Sequence, residues 1–305
     1  MEKLRGENRR TMKKFAVPFV LLAGCLWGVM GLFVRHFSAL GLASLDIAQL
    51  RITTALAVVG LYLLLFCRNR FRVRLRDLWI FLGTGVVSLM MFSLCYYSAM
   101  RYVSLSVASV LLYTAPIFVM LLSAALFGER ITPVKLLALA LAFAGCICVS
   151  GVSPGSSISP TGLLLGLGAG LFYALYTIFG RYAFLCGYDS WTLLFYTFLF
   201  CAVGCAFFAN WRGIATVAVQ PTFLPWLLAF GVTTGFLAYL FYSKGLEHME
   251  SGQASILAFF EPLVATVVGV IVFDEALTLP GIAGILLILA AVMILNLPAR
   301  QTTRR

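Results

Sequence analysis

Charged residues are scarce in this sequence. Only 11% of its 305 residues are charged and 62% are hydrophobic, whereas soluble domains have roughly 25% charged and about 45 to 50% apolar residues. A soluble domain of this composition would have too few polar side chains to cover its apolar core. The composition therefore predicts an integral membrane protein.

Residues that build common active sites are also few. The chain has two histidines, His36 and His248, and no H-E-x-x-H, G-x-S-x-G or Walker motif. Its eight cysteines include no C-x-x-C pair, so they are interpreted as small apolar side chains. These absences argue against an enzyme and a direct ATP drive, and they predict no metal site and no cofactor. An intramembrane enzyme and a non-transporting receptor or channel are the alternatives to a transporter.

Long apolar runs are abundant. A hydrocarbon core of about 30 Å is crossed by roughly 20 helical residues. Ten runs approach or exceed this length, at 15–35, 45–66, 78–98, 102–127, 132–150, 161–181, 190–209, 223–243, 250–273 and 279–297. The prediction is an all-α integral membrane protein with ten transmembrane helices. Because the connecting loops are short, its function must lie inside the helix bundle.

The net charge of +11 follows the predicted topology. With an inside N-terminus, most Lys and Arg residues fall inside, including the run from Arg68 to Arg76, while Arg35, Arg101 and Arg212 fall outside. The positive-inside rule then predicts that residues 1–14 and 298–305 are basic cytoplasmic termini of a multi-pass protein in the cell membrane. The basic residues are interpreted as contacts to anionic lipid, and no nucleic-acid partner is predicted.

The chain contains an internal repeat. Residues 102–132 align without a gap with residues 248–278, and the same offset places Gly24 on Gly170 and Arg35 on Arg181. Each copy, at 15–150 and 161–297, has five predicted helices, so the second copy enters the membrane in the opposite orientation. Such inverted repeats are typical of secondary transporters, which bind substrate near mid-membrane between the halves.

These features together resemble the EamA branch of the drug/metabolite transporter superfamily. The resemblance covers nearly the whole chain and is carried by the ten spans, Trp27-Gly28, the proline-centred fourth and ninth helices, and the acidic ends Gly128-Glu129 and Asp274-Glu275. It implies a ten-helix fold with a central cavity, and export of small metabolites such as amino acids or related amphipathic compounds by alternating access. Substrate identity, the direction of transport, the choice between a coupling ion and uncoupled exchange, and the oligomeric state, including a homodimer, are left open.

Glu261 is an acid near the middle of the ninth predicted helix. A charge at this depth costs about 2.5 to 3.5 kcal/mol on insertion scales, so it should face the bundle interior. One hypothesis gives Glu261 a role in coupling, with protons as possible partners. The alternative is that it caps backbone groups freed by the neighbouring Pro262. The first copy has Ala115 at the equivalent position.

The repeat also contains a pair of prolines. Pro116 and Pro262 occupy equivalent positions and are predicted to kink their helices, either as hinges or as static bends that shape the cavity. Side chains near them and aromatic residues at mid-membrane are the candidate lining of a substrate cavity. The predicted lining residues are Trp27, Tyr97, Ser109, Tyr113, Tyr173, Tyr239, Ser255 and Phe259.

Arg51 lies one to two turns into the second predicted helix, five residues after Asp46. Snorkelling towards the surface or a local ion pair with Asp46 is the default interpretation. Binding of a substrate carboxylate is the alternative.

Overall fold

The protein is described by a computed structural model that covers residues 2–152 and 159–296, with side chains from residue 15 onward. About 83% of it is helix, with no strand in the described residues. The predicted termini at 298–305 and the side chains of 1–14 lie outside the described part. Nine helices in the described part are long and apolar enough to cross a membrane: α1 (Phe15–Ala39), α2 (Ser44–Phe66), α3 (Leu75–Ala99), α4 (Leu105–Phe127), α5 (Pro133–Ser150), α6 (Pro160–Leu185), α8 (Phe223–Leu246), α9 (Ser251–Phe273) and α10 (Leu279–Asn296). Helix α7 (Ser190–Ala206) makes a tenth span when it is counted together with the bent continuation Trp211–Ala218.

The seventh span is shorter than the run predicted at 190–209. Helix α7 ends at Ala206, and the chain then turns by 106° into a short helix, Trp211–Ala218. The amide of Asn210 donates to the Asp46 carboxylate at 2.7 Å, while the Asn210 side chain accepts from the Gly213 amide. Both bonds fix the turn, because Asn is a favourable residue at a helix N-cap.

The helix boundaries reproduce the sequence repeat. Helix α9 begins and ends 146 residues after α4, from Leu105 to Ser251 and from Phe127 to Phe273. Helices α5 and α10 are related by the same offset. Helices α3 and α8 both contain a π-helical segment, at Gly83–Met90 and Gly231–Leu237, in nearly equivalent places. Two five-helix units with these matched irregularities confirm the predicted fold class.

Helices α4 and α9 are interrupted just before their prolines. In α4 one helix ends at Leu112 and the next begins at Ala115, and in α9 the corresponding residues are Leu257 and Phe260. Each proline therefore lies in the first turn of a new helix, where its missing N–H costs little and its fixed φ is suitable. Helix α1 is also interrupted, between Gly28 and Met30, whereas α6 is continuous.

Glycines allow close contact between helices at two places. A Cβ on Gly28 of α1 would lie 2.5 Å from the Val264 Cβ of α9, and a Cβ on Gly284 of α10 would lie 2.6 Å from the Gly145 carbonyl of α5. Small residues are the usual means of such close approach in membranes. Consequently α1 packs directly on the segment of α9 that carries Glu261.

Candidate functional site

A central cavity lies between the two halves of the bundle. It holds about 120 Å³, on the scale of the roughly 150 Å³ cavity that accommodates benzene. Nine of the twenty residues in its wall are aromatic, and one acid and one arginine are also present. Helices α1 to α4, α6, α8 and α9 contribute Trp27, Met30, Arg51, Phe92, Tyr96, Tyr97, Leu112, Tyr113, Ala115, Pro116, Val119, Tyr173, Ala174, Thr177, Tyr239, Tyr242, Ser255, Ala258, Phe259 and Glu261.

Most of the side chains predicted from sequence meet at this cavity. Trp27, Tyr97, Tyr113, Tyr173, Tyr239, Ser255 and Phe259 line it, together with Glu261 and Pro116. Ser109 is not a lining residue. Its hydroxyl lies 3.1 Å from the phenol oxygen of Tyr96, and Tyr96 does line the cavity. Pro262 is buried within α9, also outside the lining. Ser255, the repeat partner of Ser109, does line the cavity, so the equivalent positions of the two repeats have different surroundings.

The Glu261 carboxylate faces the cavity. No hydrogen bond joins its side chain to any other residue in the described part of the chain, and the amide of Glu261 itself donates to the Ala258 carbonyl at 3.0 Å. Capping of backbone groups freed by Pro262 is therefore not observed. An unbonded acid on the wall of a cavity is available to a ligand or a proton.

Arg51 is also a cavity residue. Its side chain is buried, with 6% exposed, and no carboxylate lies within 4.0 Å of it in the described ranges. Its recorded polar contact is from Nη1 to the Met30 sulfur at 3.1 Å. Asp46 does not pair with Arg51, because its two oxygens accept from the Asn210 and Ala43 amides. The structure therefore shows neither snorkelling of Arg51 nor a local ion pair with Asp46, which are the default interpretations of the sequence.

One end of the cavity is closed by aromatic rings and hydroxyls. Trp27 meets Tyr239 edge to face at 5.1 Å. Two hydrogen bonds connect α6 and α8. The hydroxyl groups of Tyr176 and Ser243 are 2.8 Å apart, and those of Thr177 and Tyr242 are 2.7 Å apart. These buried hydrogen bonds join α6 to α8, and Thr177 and Tyr242 are themselves part of the cavity wall.

Glu129 lies on the same closed side. Its two carboxylate oxygens accept hydrogen bonds from the amides of Ser251 and Gly252, at 2.7 and 3.1 Å. Carboxylates stabilise the positive end of a helix dipole, so this contact attaches the end of α4 to the start of α9. Lys135 pairs with Glu250 beside it. The side of the protein that contains these contacts is called the Glu129 side below.

The opposite side, called the Glu275 side, has different contacts at equivalent positions. Glu275, the repeat partner of Glu129, is paired with Arg35 in a half-exposed ion pair. Leu105, the repeat partner of Ser251, is 61% exposed, whereas Ser251 is 0% exposed. A Cβ on Gly31, the partner of Thr177, would have no described neighbour within 4 Å. The contacts that close the Glu129 side are therefore missing here.

Cysteines Cys201 and Cys205 lie on one face of α7, with sulfurs 3.9 Å apart. Within the described ranges no group of three His, Cys, Asp or Glu residues is placed to hold a metal ion. The two thiols therefore do not form part of a metal site within the described residues.

A bundle of long apolar helices around a central cavity, built from two repeat-related halves, is an architecture found in membrane transporters. The chain belongs to the EamA-like transporter family, whose profile matches residues 14–151 and 160–297. This family membership confirms the resemblance deduced from the residues and agrees with a non-enzymatic function.

Relatives extend over almost the whole chain. An uncharacterized transporter of Archaeoglobus fulgidus is 29% identical over 92% of this chain and 96% of its own. The uncharacterized transporter YvbV of Bacillus subtilis is 26% identical over 78% of each chain. A solved crystal structure superposes with a TM-score of 0.77 at 18% identity, covering 93% of this chain and 97% of the other, which establishes the shared fold.

Proposed function

We propose that this protein is a secondary transporter that exports small amphipathic metabolites, such as amino acids or related compounds, by alternating access. One observation carries the proposal. Two repeat-related acids, Glu129 and Glu275, have different partners on the two sides of one cavity. In a transporter built from inverted repeats, exchange of the two arrangements would open the closed side and close the open one.

The repeat specifies what the exchanged state would contain. Glu275 would accept from the amides of Leu105 and Ser106, as Glu129 now does from Ser251 and Gly252. Glu129 would then pair with Arg181, the repeat partner of Arg35. Arg181 is available for this, because its Nη1 donates weakly to the Leu246 and Met249 carbonyls at 3.5 and 3.4 Å and its buried Nε has no hydrogen-bond partner within the described part.

The helix interruptions are suited to this movement. The buried segment 251–257 and its partner 105–112 are each separated from the rest of their helix by a break before a proline. Hinges are short stretches that absorb changes of backbone dihedral angle. Pro116 and Pro262 therefore support hinges at Tyr113-Thr114 and Ala258-Phe259, where the chain leaves one helix and enters the next.

Glu261 is proposed to couple transport to protons. An intramembrane acid without a protein partner is a typical element of proton-coupled transport. Six helices each contribute one polar or ionisable group near Glu261. These groups are Arg51, Tyr96, Tyr113, Cys146, Tyr173 and Tyr239. Arg51 is the single fixed charge among these groups, so a proton on Glu261 changes the net charge of the cavity.

Orientation and location belong to the same proposal. The Glu129 side carries Arg130, Lys135 and the basic α2–α3 loop, which contacts the start of α7 through the pair Arg70–Asp189. By the positive-inside rule this side is cytoplasmic, which gives cytoplasmic termini at 1–14 and 298–305, repeats at 15–150 and 161–297, and a place in the cell membrane.

Flux into or out of liposomes tests the proposed function. Purified protein reconstituted with a defined orientation should move at least one member of a panel of amino acids and aromatic metabolites faster than protein-free vesicles. Glu261→Gln should lower that flux at least tenfold and flatten its dependence on pH across about pH 5.5 to 8, because glutamine cannot release a proton. Flux that is unchanged in Glu261→Gln at every pH would contradict the coupling role.

A further inference from the structure

The central cavity contains one positive and one negative side chain that do not pair. Arg51 comes from α2 and Glu261 from α9, and both line the cavity. They are more than 4.0 Å apart, since no ion pair joins them, and neither has another charged partner in the described ranges. Two opposite charges held apart across one small space form a site for a molecule with its own separated charges.

Arg51 is buried without a charged partner in the described ranges, which indicates that it needs an acceptor from elsewhere. Arg51 as a residue is 6% exposed, and its polar partner is a thioether, which is a weak acceptor. Buried charges in proteins are normally paired or hydrogen-bonded, because the desolvation cost is otherwise uncompensated. Arg51 thus lacks the acceptor that its surroundings would require, and the cavity is where an acceptor can enter.

The neighbours of Arg51 hold it in this position. Its guanidinium carbon lies 6.0 Å from the centre of the Phe230 ring. A Cβ on Gly235 of α8 would lie 3.3 Å from the Arg51 carbonyl oxygen and 3.4 Å from its Cγ, so α8 passes close to this residue. A side chain fixed between helices cannot extend to the membrane surface as a snorkelling arginine does. The planar fork is consequently preorganised for bidentate binding of a carboxylate.

The rest of the wall determines the body of the ligand. The same cavity wall contains the aromatic rings of Trp27, Phe92, Tyr97, Tyr113 and Tyr173. Such a wall binds an apolar or aromatic group through burial and ring contacts. The space of about 120 Å³ limits that group to roughly one ring.

We propose that Arg51 and Glu261 form a two-point site for a small zwitterion with an apolar or aromatic body. The Arg51 guanidinium binds the anionic group, and the Glu261 carboxylate binds the cationic group. This inference rests on the proposed function for its biological meaning, because it assigns the substrate class of the same cavity. It concerns binding, however, and it can be tested without transport.

Three compounds of nearly the same shape separate the two contacts. L-phenylalanine carries both charges, 2-phenylethylamine carries the amine alone, and 3-phenylpropionate carries the carboxylate alone. Their binding to purified protein is measured by calorimetry and by quenching of tryptophan fluorescence, with Trp27 as the cavity reporter. Wild-type protein should bind the zwitterion most tightly of the three.

The variants should give opposite patterns. Arg51→Gln should weaken binding of L-phenylalanine about 10- to 100-fold, the range for loss of a charge-assisted hydrogen bond, and leave 2-phenylethylamine within about twofold. Glu261→Gln should weaken binding of both amines and leave 3-phenylpropionate within about twofold. Arg51→Lys should restore part of the affinity, since it keeps the charge without the fork. Retained binding of 2-phenylethylamine also shows that Arg51→Gln is folded.

Other outcomes overturn the proposal. Equal weakening of all three compounds by both substitutions would mean that the residues act on each other or on the fold. Failure of wild-type protein to bind any of the three, or preference for a singly charged compound, would exclude the zwitterion site. Binding in the expected pattern without flux would instead remove the proposed transport function and keep the site. Flux of other compounds that is unchanged by Arg51→Gln would keep the proposed transport function and remove the site.

Discussion

Residues 105–112 and 251–257 begin two helices that are related by the internal repeat, yet their surroundings are opposite. Segment 251–257 is buried against α4, and its first amides donate to Glu129. Segment 105–112 is partly exposed, and Glu275, which could accept from it, is paired with Arg35. The two segments have similar sequences and the same helical breaks, so the difference lies in their environment. One fold thus contains both arrangements that the same motif can adopt.

A second difference lies in the cavity and is fixed by sequence. Glu261 replaces the alanine found at position 115 of the first copy, and both residues line the cavity. Exchange of the two sides can reverse the end contacts, but it cannot move this acid to the other repeat. Under the proposed mechanism, the end contacts act in gating, and Glu261 acts in ligand and proton binding.

Close packing of α1 on α9 predicts the largest effect. Gly28→Ala would place a methyl group 2.5 Å from the Val264 Cβ, and overpacking of this kind typically costs about 1 to 3 kcal/mol. We expect loss of flux and a lower thermal midpoint. Gly31→Ala is the matched control, because its new Cβ has no described neighbour within 4 Å. Equal tolerance of both substitutions would show that the α1–α9 contact is unimportant.

The acids at the helix ends predict an intermediate effect. Glu129→Gln removes the charge from two hydrogen bonds that close the Glu129 side, and bonds to charged groups contribute about 1.5 to 3 kcal/mol. The open population of that side should rise by about tenfold or more, measured as labelling of a cysteine introduced at Ser255. Glu275→Gln is the repeat-matched comparison and should leave this labelling unchanged or lower it. Identical labelling in the two variants would remove the distinction between the sides.

Much of this structure is predictable from the sequence, for reasons that differ between its parts. Composition and hydrophobic runs predict the spans, and the offset between Phe127 and Phe273 predicts the repeat, because both depend on local residue type. The bend after Ala206 is harder to predict from the sequence, because a tertiary contact from Asp46 fixes it. Ser109 and Ser255 occupy equivalent sequence positions, yet Ser255 lines the cavity and Ser109 does not, so helical spacing alone does not predict this difference.

Arg51 shows where sequence reasoning fails most clearly. A nearby acid at Asp46 suggests a local ion pair, but the acid is used by the Asn210 and Ala43 amides. The signal available in the sequence was the depth of Arg51 within an apolar run, which raises the cost of an unpaired charge. Its orientation into the cavity depends on α1 and α8, which are far away in the chain.

The turns that follow α4 and α9 predict the smallest effect. Gly128 and Asp274 are repeat partners, and both have positive φ, at 68° and 52°. Gly128→Ala should destabilise the protein by about 1 to 2 kcal/mol through backbone strain alone, since no described atom lies within 4 Å of the new Cβ. Asp274→Gly should be neutral or slightly stabilising. A higher thermal midpoint for Gly128→Ala would contradict this account of the turn.

Reciprocal movement of the two sides is the central claim, and distances between spin labels test it most directly. The pairs Ile131–His248 and Tyr102–Leu277 are repeat-equivalent and lie on the Glu129 and Glu275 sides respectively. In a cysteine-free background, each pair should show a short and a long distance, and conditions that lengthen the first should shorten the second. A single fixed distance for both pairs under every substrate and pH condition, or movement of both in the same direction, would contradict the account.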